Sequence, residues 1–382
     1  MSRQVFRGAA IFDGSDLRED RALLVEDGRI AGLVAAGARP EGAVIELDGG
    51  ILAPGFVDLQ VNGGDGVMLN DAPDRAGLAR ICAAHAGLGT TGLLPTLITD
   101  RPEVTRAVVE AGIAAAAEGM PGFLGLHLEG PHLDPRRKGA HDPALIRPMT
   151  GADLAFLCDA AARLPVLVVT LAPANATLEQ IAVLAGAGAI VSLGHAEARA
   201  DEARAAFAAG ASMVTHLFNA MSPLGHREPG LVGAALDSEA HAGLIADGVH
   251  VDPVAMRIAL AAKRGRDRIF LVTDAMAVAG TDLAEFRLNG RRIRRHDGHL
   301  TLEDGTLAGA DIDFPGSLRV LVRDVGLPPA AALAMATRIP AGLIGQTGRI
   351  GCLTPGAHAD LVHLGPQFEL RGVWRRGEAL RS

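Results

Sequence analysis

An α/β fold, a (β/α)8 TIM barrel carrying a small sheet made from both chain ends, is what the sequence predicts, and three observations predict it. The chain has 382 residues, which suits a barrel of roughly 250 residues with a smaller attachment better than one ordinary compact domain. Its middle alternates apolar strand-like runs with Ala-rich helical stretches, the pattern of repeated βα units around a fully buried parallel sheet. Both ends instead carry short β-type runs broken by Gly, Asp and Asn.

The N-terminal stretch, 1–53, contains AAIFDG, ALLVEDGRIAGLV and AVIELDGGIL, with Asp27-Gly28 as a hairpin turn. The C-terminal stretch, 349–382, has the same texture in LTPGAHADLVHL and GVWRRGEAL. The chain is therefore expected to start a small sheet, leave it for a barrel over 54–348, and return to finish it. Eight runs supply the barrel strands: 55–62, 91–98, 123–129, 166–172, 189–195, 213–219, 242–248 and 269–276. Residues 281–313 break the rhythm with a charged, hairpin-like insertion whose natural place is over the barrel mouth, and its RRIRRH segment (291–296) reads as a solvated hairpin face.

Composition narrows the function. Hydrophobic residues make up 49% and charged residues 21%, as in a globular protein, although aromatics are only 3%. A net charge of -8 gives no basic footprint for nucleic acid, so an anionic substrate would need a local cationic pocket. Cys82, Cys158 and Cys352 are far apart and lack CxxC spacing, which argues against a disulfide framework or thiolate metal site and fits a reducing cytoplasm. The N-terminus has no apolar core of signal-peptide length, and no run of about 18 apolar residues occurs, so no membrane association is expected.

Ionisable and polar residues recur at the C-terminal ends of the proposed strands, the face on which barrel enzymes build their sites. Gln60 and Asn62 end the first run, Glu129 the third, His195 the fifth; His216 lies in the sixth, Asp247 and His250 in and after the seventh, and Asp274 in the eighth. Glu129, His195 and His216 together make a credible divalent-metal site, because two imidazoles and a carboxylate leave a fourth position open. A single strand-end histidine is as readily a satisfied polar residue; three on one rim favour the metal. Asp274 either caps a turn or moves a proton for a water. His141 in KGAHDP polarises a carbonyl or hydrogen-bonds a sugar hydroxyl, unless it is a solvated loop residue. Asn219 and Arg227 lie in FNAMSPLGHREPG, and arginine's planar fork suits a phosphate.

The motifs PGFVDLQVNGGDG, GLHLEGPHLDPRRKGAHDP, SLGHAEA, VTHLFNAMSPLGHREPGLVGAAL, IADGVHVDP and LVTDAMAVAG, in that order, resemble the N-acetylglucosamine-6-phosphate deacetylases of the amidohydrolase superfamily. The resemblance implies a distorted (β/α)8 barrel, a β-sandwich from both ends, a homodimer, and hydrolysis of a phosphorylated N-acetyl amino sugar. It implies one divalent metal ion per subunit, commonly Zn2+ with Fe2+, Co2+ or Mn2+ as alternatives, on Glu129, His195 and His216. Asp274 would be the general base and acid, and His141 would assist at the acetyl carbonyl. Ala140, His141, Asn219, Ala220, Arg227 and His250 would bind the substrate, with Arg227 and His250 reaching its phosphate across the dimer interface. Where many amidohydrolases have HxH at the end of strand one, this chain has Gln60-Val61-Asn62, which implies the single-metal branch. Competing readings are a galactosamine-6-phosphate deacetylase, a cyclic amidase and a noncatalytic barrel.

Overall fold

A computed structural model describes residues 2–38 and 40–381. Eight parallel strands follow one another around a single sheet in chain order: β1 Phe56–Val61, β2 Thr90–Ile98, β3 Leu126–Glu129, β4 Leu167–Leu171, β5 Ile190–Leu193, β6 Met213–Val214, β7 His241–Leu244 and β8 Ile269–Leu271. All eight fall within the runs read from sequence, apart from one residue at the start of β2 and one at the start of β7. The ring is closed just beyond the strands. Val61 and Ala275 form a parallel bridge, the Asn62 amide donates to the Ala275 carbonyl at 2.8 Å, and the Asp274 amide donates to the Gln60 carbonyl at 3.0 Å.

The connecting helices carry sequence-local start signals. Thr150 and Thr177 form reciprocal capping boxes with Asp153 and Gln180 at the helices Gly151–Arg163 and Leu178–Gly186. Pro102 and Pro253 open helices at positions where a missing N–H costs nothing.

Two compact units are present: one of 1–58, 85–92 and 313–382, the other of 59–84 and 93–312. In the first, the C-terminal strands Leu361–Leu364, Leu370–Arg375 and Glu378–Arg381 join Ile51–Pro54 and the strands Ala10–Phe12 and Leu17–Arg18 in a six-stranded sheet. A four-stranded sheet from the N-terminal region shares a core with it through Phe6, Leu23, Val25 and Ile30 on one side and Ile11, Leu52, Leu361 and Trp374 on the other. Phe6 meets Trp374 edge to face, 5.3 Å between centroids. The two ends thus build the expected sandwich.

In the second unit, the insertion forms an antiparallel four-stranded sheet of Glu285–Leu288, Arg291–His296, His299–Leu302 and Leu307–Ala310. Its RRIRRH strand is not simply solvated, because alternate residues of a strand face opposite ways. Arg295 forks onto Asp311 at 2.6 and 2.9 Å, and Arg291 donates to the Ala140 carbonyl. Among the described residues no helix is long and apolar enough to cross a membrane.

The interior of the barrel is partly polar. His127 Nδ1 donates to the Leu59 carbonyl at 3.0 Å, so Nε2 must accept, and it does so from Thr170 Oγ1 at 2.7 Å. The chain of donors continues from Thr215 to Thr170 and from Ser192 to Thr215, each 2.6 Å. Burial pushes His127 down to about 4, which keeps it neutral in this role.

Close backbone approach between β3 and β4 depends on Gly125. Its φ is +146°, and a Cβ there would lie 2.1 Å from the Val166 carbonyl oxygen, the atom that accepts from the Leu126 amide. Gly125→Ala is expected to lower stability by about 3 kcal/mol through that clash and the lost rung, read as a fall in the denaturant midpoint.

Candidate active site

Parallel register sets the height of the key residues. Leu193 pairs with Val214, so His195 and His216, each two residues further on, emerge at the same level. Leu244 pairs with Leu271, which brings Asp247 and Asp274 level in the same way. Glu129 is the last residue of β3 and pairs with Thr170. His195, His216 and Asp274 have φ of 46°, 31° and 50°, and Phe218 and Ala220 have 79° and 50°. A left-handed conformation is unfavourable for residues with a Cβ, and its concentration after β5, β6 and β8 marks backbone turned to aim side chains rather than to continue the chain.

Three donor atoms converge. Glu129 Oε1 is 3.1 Å from His195 Nε2 and 3.0 Å from His216 Nε2, and the two ring nitrogens are 3.1 Å apart. His195 Nδ1 donates to the Arg137 carbonyl at 2.7 Å, which leaves Nε2 as a lone-pair donor to the centre. Lone pairs this close repel unless a proton or a cation lies among them. The triangle fits one face of a tetrahedral coordination shell, whose edge is about 3.4 Å for bonds of about 2.1 Å. Burial would raise the Glu129 carboxyl, but His195 and His216 outweigh it and hold the group well below the usual range. His216 is itself raised, burial being overcome by Glu129. The residues present therefore fit a divalent cation, which would replace the shared proton.

His141 also brings a ring nitrogen within 4.8 Å of donor atoms of Glu129 and His195. The Thr99 amide, which can only donate, reaches His141 Nδ1 at 3.3 Å, and the Thr99 hydroxyl is 2.8 Å from the same atom. Nδ1 is consequently the bare nitrogen and Nε2 carries the hydrogen. A protonated Nε2 does not coordinate, so His216 is the better third ligand and His141 a hydrogen-bond donor. Burial, reinforced by His195, holds His141 well below its ordinary value and so neutral.

Gln60 and Asn62, read from sequence as poor metal ligands, grip the carboxylates instead. Asn62 Nδ2 donates to Asp274 Oδ1 at 2.6 Å and Gln60 Nε2 at 3.1 Å, and Gln60 Nε2 also lies 3.3 Å from each Glu129 oxygen. Asp274 is buried at the cavity wall, and burial, followed by repulsion from Glu129, raises it to about 6.

A cavity of about 480 Å³ opens over these groups, lined also by Lys138, Ala140, His141, Asn219, Ala220 and His250, and by Thr306, Leu307 and Gly309 of the insertion. His250 lines the cavity of its own chain, oriented by Asp247 through a 2.6 Å bond to Nδ1. Arg227 is exposed and is not among the lining residues. Nearly every other candidate thus meets in one place. Sequence reasoning missed Thr99 and His127. Period two along Leu126-His127-Leu128-Glu129 was the available signal for His127, since it puts that ring on the same inward face as Glu129.

Residues 51–380 match the model of the amidohydrolase family. The chain is similar to the N-acetylgalactosamine-6-phosphate deacetylase of Shewanella sp. (strain ANA-3), 40% identical with 98% of this chain and 95% of that protein covered. It is also similar to the N-acetylglucosamine-6-phosphate deacetylase of Haemophilus influenzae, 36% identical with 96% and 97% covered. The crystal structure of N-acetylglucosamine-6-phosphate deacetylase from Pasteurella multocida superposes with a TM-score of 0.95 at 36% identity over the whole of both chains. Fold, ordered motifs and full-length similarity agree: this chain belongs to the amidohydrolase family.

Proposed function

We propose that the protein removes acetate from N-acetylglucosamine-6-phosphate with the help of one bound divalent metal ion. The observation that carries this reading is the triangle of Glu129, His195 and His216, with Asp274 and His141 facing the same cavity. A divalent cation on those three ligands, zinc being the ion their chemistry suits best, would polarise the amide carbonyl and acidify a water.

The rest of the work falls to this chain's own side chains. Both amides of Gln60 and Asn62 donate to Oδ1 of Asp274, which leaves Oδ2 to accept a proton from the attacking water as the new carbon–oxygen bond forms. The same oxygen then returns that proton to the sugar nitrogen as the carbon–nitrogen bond breaks, giving acetate and the free amine. His141 Nε2–H donates to the carbonyl oxygen as charge develops there. Asn219, Ala220 and His250 line the space for the sugar.

The galacto epimer is a second reading, favoured by the 40% and 37% identity to two N-acetylgalactosamine-6-phosphate deacetylases. A homodimer would give the exposed Arg227 a role at a neighbouring cavity, and the three free cysteines suit the cytoplasm.

Four outcomes test the reading. Acetate release from the gluco and galacto phosphates, compared as kcat/KM, decides between the epimers; release from neither defeats both. Glu129→Gln should retain about a tenth or less of the metal bound by the parent protein, measured by elemental analysis after dialysis, because a neutral amide replaces the charged ligand. Asp274→Asn should keep its metal and lose roughly 10²- to 10⁴-fold in kcat. Because Asp274 must be ionised to accept a proton, activity falls as pH drops through its pKa. A bound cation draws that pKa below the value of about 6 set by burial and Glu129; an acid limb of kcat/KM above pH 7 would contradict the assignment.

A further inference from the structure

We propose that Arg291, in the insertion, is a positioning residue for the reaction: it pins the turn that presents His141 to the substrate carbonyl. The inference rests on the deacetylase reading and adds to it a residue that is not among those lining the cavity. Placement is a particular problem for His141. Glu129 ends a barrel strand, and His195 and His216 each follow a strand by two residues. His141 lies instead in a stretch without regular structure, between the single turn Pro135–Arg137 and the helix Gly151–Arg163. A loop holds a side chain less precisely than a strand does, so the aim of Nε2–H has to come from the bonds the loop makes.

Three such bonds meet at His141. Its amide donates to the Lys138 carbonyl at 3.0 Å, closing a tight turn, and Thr99 grips Nδ1 of its ring. The third comes from far along the chain: Arg291 donates to the carbonyl of Ala140, which belongs to the same peptide unit as the His141 amide. Neighbouring arginines of the Arg291–His296 strand pair with carboxylates, Arg292 with Glu285 at 3.7 Å and Arg295 with Asp311 at 2.6 Å. Arg291 pairs with none among the described residues, and its guanidinium is directed at a neutral carbonyl. A charged donor makes that bond stronger than an uncharged one would.

Both ends of the bond stand on one core. Arg291 follows the two-residue turn Asn289-Gly290, whose φ values of 49° and 77° suit a tight hairpin and set Arg291 opposite Leu288. Leu288, Ile293 and Leu300 are buried in an apolar cluster with Ile98 and Met276, and Ala140 packs against the same cluster. Donor and acceptor are therefore held at a fixed separation. The far edge of the sheet, Leu307–Ala310, meets the other proton-handling group, because the Ala310 amide donates to the Asp274 carbonyl at 3.1 Å. The insertion thus spans from the backbone of Asp274 to the backbone that carries His141, and Arg291 is its joint on the histidine side.

The test measures acetate release from N-acetylglucosamine-6-phosphate by metal-loaded wild type, Arg291→Met, Arg291→Lys and Arg292→Met, and by His141→Ala with and without Arg291→Met. Arg291→Met should lower kcat about 10-fold with KM changed less than about threefold, as a misplaced catalytic group does. Arg291→Lys, which keeps a charged donor, should recover most of that loss, and Arg292→Met should behave as wild type. Where His141 is already alanine there is no ring to aim, so adding Arg291→Met should cost less than about twofold more. A full tenfold loss in that background, or a rise in KM with kcat unchanged, overturns the proposal. Hydrogen exchange followed by mass spectrometry separates it from the deacetylase reading. Amides of 138–145 should exchange at least about tenfold faster in Arg291→Met than in wild type, while those of 123–129 are unchanged. Equal exchange refutes the role of Arg291 even if wild type releases no acetate from either sugar, the outcome that defeats the deacetylase reading.

Discussion

The structure depends on holding three electron-rich atoms about 3 Å apart inside a barrel. Two imidazole nitrogens and a carboxylate oxygen do not stay that close of their own accord, since each would rather keep its lone pairs in water. What keeps them there is the rest of the fold. Parallel register brings His195 and His216 to one height, Glu129 ends a strand that is buried along its length, and the Arg137 carbonyl holds one ring from behind. A cation bound there would take the place of the proton that the raised His216 shares with Glu129, so the geometry is preorganised for positive charge.

Such a site needs support beneath it. The hydroxyls of Thr170, Ser192 and Thr215 and the ring of His127 form a directed chain of hydrogen bonds that begins at the Leu59 carbonyl. Each donor has an acceptor, which is the condition under which buried polar groups stiffen a core instead of weakening it. The barrel therefore passes from apolar outer surfaces to a polar inner layer without leaving these groups unpaired, and Glu129, His195 and His216 stand on that layer.

Much of this was legible in the sequence, for identifiable reasons. Buried parallel strands are continuous apolar runs, so Glu129, His195 and Asp274 stood out as polar residues where such runs end. The returning C-terminal sheet was visible because its Gly-rich turns match those of the N-terminus. Thr99 was invisible, since a threonine after an apolar run is ordinary strand composition; its importance lies in the direction of one backbone N–H toward His141, which no residue type encodes. His127 was hidden between two leucines, where the apolar run masked the alternation of faces. The arginines of 291–296 read as one solvated face, and separated only once pairing gave Arg291 to Ala140 and Arg295 to Asp311. The position of Arg227 likewise required coordinates, because a charged loop residue carries no information about which cavity it faces.

The first strand ends in two neutral amides, Gln60 and Asn62, and not in imidazoles. An imidazole at position 60 or 62 would offer another lone pair for a second cation, whereas Gln60 and Asn62 offer N–H groups to carboxylates that are already present. Those donors hold Glu129 and Asp274 in place and partly offset their mutual repulsion. For Asp274 the outcome is a balance: burial and Glu129 favour the protonated form, while His216 and the Asn62 hydrogen bond favour the ionised one, leaving the group near 6. A bound cation would move that balance toward the ionised form, the state in which an aspartate can accept a proton. The amides of Gln60 and Asn62 thus hold the carboxylate whose ionisation this balance sets.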